Sequence, residues 1–255
     1  MWRCRNLAIF LSVTLCLIQS GCLIQPGLRA EFAAPLNQGE KDLTDHEIQR
    51  GLSTLRELAK DKGKYDDYAR SLGFTSAEEA LTATPGKLLR VYQVSLSALK
   101  NFQQSTEAEK ILDEKPSTVL VPILANGAIR SSLANRTIRS SFMIAEFESE
   151  KQWRIIGQGS SNILKHTTPT DLARLDAVVM IPDLRLRFFA RRSNGQIMLI
   201  PIKDYPLFNL KGGVEYPSKE VFTNLQPVAD RVARALADSP EEDNRPNRSS
   251  SLNAP

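Results

Sequence analysis

VLVPILANGAIRSSL, residues 119–133, reads as two short β-strands about Asn126-Gly127, a pair whose readiness for positive φ suits a type I′ hairpin turn. It is the strongest hairpin signal in the chain. It also marks a boundary, because from Ser117 onward helical spacing gives way to β-branched runs and alternation. Pro122 removes a ladder donor, so its strand is expected at a sheet edge. Downstream, residues 137–147 and 152–157 form a second pair, joined by the polar segment 148–151. Residues 184–191 and 197–202 form a third about Asn194-Gly195, and residues 178–181 add a further strand. Short helices are expected at 161–165 and 171–175.

Upstream, Thr44 and Glu47 have capping-box spacing and start a helix that sets Ile48, Leu52, Leu55 and Leu58 on one face. Gly63 ends it. A second helix spans 65–72, closed by Gly73, and Ser76 with Glu79 opens a third. Residues 88–102 fit both periods; we read a strand over 88–94 and a helix over 96–103. Ser218 opens a helix with Val221, Phe222 and Leu225 inward, followed by Val228, Val232 and Leu236. Pro227 predicts a kink there or a second helix.

The expected fold is therefore α+β: an antiparallel sheet of about five to seven strands built from hairpins, flanked by N-terminal and C-terminal helices. The organisation reads as a signal peptide (1–21), a tether (22–43), a mainly helical segment (44–116) and β hairpins (117–204). C-terminal helices (205–237) and a polar, disordered tail (238–255) complete it.

A chain of 255 residues with 42% hydrophobic and 24% charged residues is ordinary globular material for one domain or two small ones. The formal charge is +4, and setting aside Arg3 and Arg5 leaves +2, too weak a balance to argue for nucleic acid. The three cysteines are Cys4, Cys16 and Cys22. The rest of the chain thus has no disulfide, cysteine metal site or thiol nucleophile. No cofactor or metal is implied.

The N-terminus carries Arg3 and Arg5, an apolar run over 7–18, then Gln19, Ser20 and Gly21 before Cys22. Basic residues, a short greasy core and small residues at its exit make an export signal. Twelve residues reach about 18 Å as a helix, short of the ~30 Å hydrocarbon core. The stretch Ile18-Gln19-Ser20-Gly21-Cys22 resembles the lipobox of bacterial lipoproteins, with Gln19 where an apolar residue is usual. The resemblance covers the signal alone, and implies cleavage before Cys22 and lipidation of its thiol. It further implies anchoring on the periplasmic or extracellular side of a membrane. Leu23, rather than an aspartate, after the cysteine implies the outer membrane in a diderm cell. The alternative is an ordinary cut nearby, for example after Ala30.

Residues able to carry chemistry are few. His46 lies in a helix's first turn and His166 at a helix end, both expected as polar surface positions. A hydrolase would draw on Ser160 or Ser161 with His166, or on carboxylates from different strands, but no Gly-x-Ser-x-Gly elbow surrounds the serines. The segment 157–161, Gly-Gln-Gly-Ser-Ser, lies between a strand and a helix but lacks the Lys-Ser/Thr of a P-loop. Arg185, Arg187 and Arg191 alternate with Leu184, Leu186, Phe188 and Ala190. A basic strand face for anions is expected from them, joined by Arg192 and by Arg130 and Arg139, or else balanced by Glu146 and Glu148. The expected function is a non-catalytic, lipid-anchored envelope protein that binds or assembles with a protein or envelope component. The alternatives are an envelope hydrolase and a polyanion-binding module.

Overall fold

The computed structural model describes residues 32–60, 66–103, 108–112, 117–126, 136–147, 149–159, 164 and 167–237. These hold six α-helices: α1 (Gln38–Lys60), α2 (Asp66–Ser71), α3 (Ala77–Leu81), α4 (Leu96–Lys100), α5 (Pro169–Arg174) and α6 (Ser218–Ala237). Nine strands form one sheet: β1 (Thr84–Pro85), β2 (Leu89–Gln93), β3 (Thr118–Asn126), β4 (Arg136–Phe147), β5 (Gln152–Gly159), β6 (Ala177–Ile181), β7 (Leu186–Ser193), β8 (Gln196–Pro201) and β9 (Tyr216–Pro217). Their order is β5-β4-β3-β2-β6-β7-β8-β9, with β1 also beside β3. The α+β class holds, although the strands outnumber the expected five to seven. Every ladder is antiparallel except β2–β6, which is parallel and joins the two halves of the sheet.

One face of this sheet carries two apolar cores. Over β3–β5, α1, α2 and α3 cover Val119, Val121, Phe142, Ile144 and Trp153. Over β6–β8, α4 and α6 cover Val179, Leu186, Phe188 and Leu199. The opposite face carries a smaller cluster in which Leu172 and Leu175 from the α5 segment meet Val91, Leu120, Val178 and Phe189.

The hairpin expected at 119–133 is corrected. β3 pairs with β4, Leu124 opposite Ile138 and Asn126 opposite Arg136, while its other edge is taken by β1 and β2. Both edges of β3 are thus taken by other strands, and residues 128–133, expected to be its hairpin partner, lie outside the described residues. Side chains 119–125 are all buried, so the apolar run is that of a strand covered on both faces. Pro122 consequently sits inside the sheet, not at its edge. Its carbonyl accepts from Gly86 N at 2.7 Å, so the side that lacks an N–H faces Gly86 in the short gap between β1 and β2, where the ladder is already interrupted. The Asn194-Gly195 hairpin forms as expected, with φ of 51° and 75° at its two turn residues.

Residues 38–43, expected to be part of a tether, belong to α1, which starts at Gln38. Asn37 Oδ1 accepts from Glu40 N at 2.9 Å and Glu40 Oε2 accepts from Asn37 N at 3.1 Å, a reciprocal cap about two helical turns upstream of the Thr44–Glu47 pair. Thr44 is buried inside the helix and donates its hydroxyl to Glu40 O at 2.7 Å. The preceding residues are docked on β2. Phe32 stacks on Tyr92 with ring centroids 5.2 Å apart, and Ala33 N donates to Tyr92 Oη at 2.8 Å. Arg90 donates to Ala34 O at 2.7 Å and pairs with Glu40 at 3.4 Å; the Arg90 and Glu40 side chains are only 12% and 14% exposed. Arg90→Met should therefore cost about 2–3 kcal/mol in urea unfolding, since it strands the Glu40 charge and two carbonyls. A change under about 0.5 kcal/mol, the scale of a surface substitution, would contradict this anchoring.

At the other end, α6 is one continuous helix through Pro227, and residues 205–217 precede it as loop, short turns and β9, not as helix. Pro227 is exposed, so the carbonyl it cannot satisfy lies on the solvent side. Phe222, Leu225 and Ala229 are buried, whereas Leu236, expected inward, is 62% exposed. Residues 1–21 and 238–255 lie outside the described residues.

Candidate functional site: a cleft between α5 and the 201–215 loop

The described residues cover the opposite face of the sheet only in part, and beside α5 it opens into a cleft of about 690 Å³. Phe189 and Ile200, cross-strand partners in β7 and β8, form its floor. One wall is α5. Thr168 caps this helix reciprocally with Asp171: Thr168 Oγ1 accepts from Asp171 N at 3.1 Å, and Asp171 Oδ2 accepts from Thr168 N at 3.3 Å. Pro169 stands at its first turn, where a missing N–H costs nothing. Lys87 Nζ reaches the carbonyls of Ala173 and Leu175 at the other end, fixing the helix to the loop before β2.

The facing wall is the loop after β8. It folds on itself through the Tyr205–Leu210 bridge, and Tyr205 Oη accepts from Arg187 N at 2.9 Å and donates to Arg187 O at 3.2 Å. Burial pushes the Tyr205 hydroxyl above its ordinary 10.0, against the pull of the Arg187 backbone hydrogen bond, so it stays a neutral clasp at physiological pH. Asp204 Oδ1 accepts from Gly212 N at 2.7 Å and Gly213 N donates to Pro201 O at 2.9 Å. Gly212 is dictated by space, since a Cβ there would stand 2.8 Å from the Lys203 carbonyl carbon. Arg191 ties floor to wall, its Nη2 2.8 Å from Glu215 Oε2.

The expected arginine face is not assembled as one row. Arg185 precedes β7 in a left-handed turn at φ 54°, and Arg187 is exposed nearer the start of the strand. Arg191 lines the cleft, paired with Glu215. Phe189 interrupts the row because its ring is buried under α5. Arg192 points to the other face and pairs with Glu109 at 2.8 Å. Arg139 is on β4 and pairs with Glu79 at 2.9 Å, and Glu146, also on β4, lies on the far side of β3, β2 and β6 from the arginines of β7. The acids that balance the strand come from the loops.

His46 is a surface side chain on α1, 78% exposed and 3.7 Å from Glu47. Ser160, Ser161, His166, Arg130, Glu148 and Cys22 lie outside the described residues, while Gly157 and Gly159 belong to β5. The cleft itself was not anticipated. Its cations Arg174 and Lys203 belong to a helix end and a loop with no shared sequence pattern; the Gly212-Gly213 pair was the one local sign of a tightly folded loop.

Among the described residues no helix is long and apolar enough to cross a membrane. Fold and cleft together define an α+β domain with a partly open sheet face and a charged, apolar-floored recess. No family model, curated protein or solved structure matches the chain.

Proposed function

We propose that this is an exported protein, lipid-anchored through Cys22 on the outer side of a membrane, whose domain binds a ligand or envelope partner without transforming it. The observation that carries this reading is the placement of Cys22 directly after Ser20-Gly21 and the short apolar run, with the other two cysteines upstream of it. Domain geometry adds support, because the first described residue, Phe32, is buried in the domain only ten residues beyond Cys22, a span of at most about 36 Å. An anchored domain would thus stay close to its membrane. The cleft supports binding over carboxylate catalysis, since Asp171, Asp204 and Glu215 each hold a wall element in place.

Cys22→Ser tests the anchor. Wild-type protein is expected to take up labelled fatty acid and to migrate as the cleaved chain, and the variant to take up none and to migrate more slowly with its leader retained. A variant that stays with the membrane at unchanged mobility overturns the reading.

A further inference from the structure

We infer that the cleft between α5 and the 201–215 loop binds a small amphipathic anion, a carboxylate or phosphate carried on an apolar body. This deepens the binding reading above and does not depend on how the chain is anchored. A volume of about 690 Å³ falls within the ~300–1,000 Å³ typical of small-molecule sites. Its floor of Phe189 and Ile200, continued by Leu175 and Ile202, offers an apolar surface to the body of a ligand.

The polar rim has three acids and three cations, but their commitments differ. Asp171 Oδ2 takes the Thr168 hydroxyl at 2.6 Å as well as its N–H, Asp204 takes the Gly212 N–H, and Glu215 takes Arg191. Arg174 makes no ion pair or hydrogen bond to any described residue, and Lys203 meets only the Tyr205 ring, 5.6 Å from its centroid. Arg191 Nε is buried with no acceptor. The rim therefore has donors to spare, and a buried donor without an acceptor marks where one belongs. Arginine and lysine beside an apolar floor suit an anionic group with a greasy body; the bare ion would leave the floor unused.

The test is calorimetric titration of the full chain with octanoate, with phosphatidylglycerol vesicles, with inorganic phosphate and with octyltrimethylammonium. Saturable octanoate binding is expected to weaken at least about tenfold in the Arg174→Gln/Lys203→Gln double variant, whose exposed positions leave its melting temperature unchanged. Vesicle binding with the same dependence also supports the proposal and identifies a membrane lipid as the source. Inorganic phosphate binding as tightly as octanoate, the alkylammonium binding as tightly, or no binding by octanoate and vesicles would each overturn it. Octanoate binding by a protein that proves unlipidated would sink the anchor and leave this site standing.

Discussion

Replacing Phe222 with alanine is expected to cost about 3–5 kcal/mol of stability, a large share of the ~5–15 kcal/mol typical of a domain. Phe222 is fully buried on α6 and meets Phe102 edge-to-face with centroids 5.7 Å apart. Truncation removes that ring contact and leaves a cavity between α4, α6 and β7–β8, which the sheet cannot collapse to fill. Trp153 offers the readout, since it lies in the other core, under α1. Because the two cores share one sheet across the β2–β6 ladder, Trp153 fluorescence and far-UV dichroism should shift together to lower denaturant. Dichroism moving while Trp153 stays put would show two independent units.

Gly51→Val is expected to destabilise the α1 half by about 3 kcal/mol or more, beyond typical overpacking because two neighbours are struck at once. A Cβ at Gly51 would stand 2.6 Å from Ile155 Cδ1 and 2.9 Å from the Phe142 ring. Ile155 can turn aside, but Phe142 is held in the core between β3 and the helix. The helix would have to lift from β4 and β5, exposing the residues it covers. Chemical denaturation monitored at Trp153 checks this; stability within about 1 kcal/mol of wild type would show that α1 does not ride so close to the sheet.

What could be read in the chain follows from how local each signal is. Asn194-Gly195 turned as written because its two strands are adjacent in sequence and joined by those two residues alone, with β8 alternating along its length. Asn126-Gly127 misled because Asn-Gly states a local preference only, whereas β3 pairs with β4, which starts only at Arg136, and on its other edge with β1 and β2 from well upstream. The Asn37–Glu40 cap was overlooked for Thr44–Glu47, an equal spacing that carried the more visible apolar stripe. Pro35 and Gly39 made the true start look like tether, yet Gly39 is simply tolerated in an N-terminal turn. The parallel β2–β6 pairing leaves no mark in any local period. Neither does the cleft, whose walls meet only after β6, β7 and β8 have aligned α5 with the loop that follows β8. Its donors became recognisable once the acids beside them were seen to be occupied.

The anchor proposed at Cys22 is best tested by the intact mass of the protein recovered from a bacterial host that processes lipoproteins. The account predicts a chain beginning at Cys22 with added acylglyceryl mass on that residue. An unmodified chain, whether cut after Ala30 or retaining its leader in the soluble fraction, would contradict it. A cut after Ala30 would leave every described residue in the chain, the first of them being Phe32. Mass, not stability, is therefore the property that separates these outcomes.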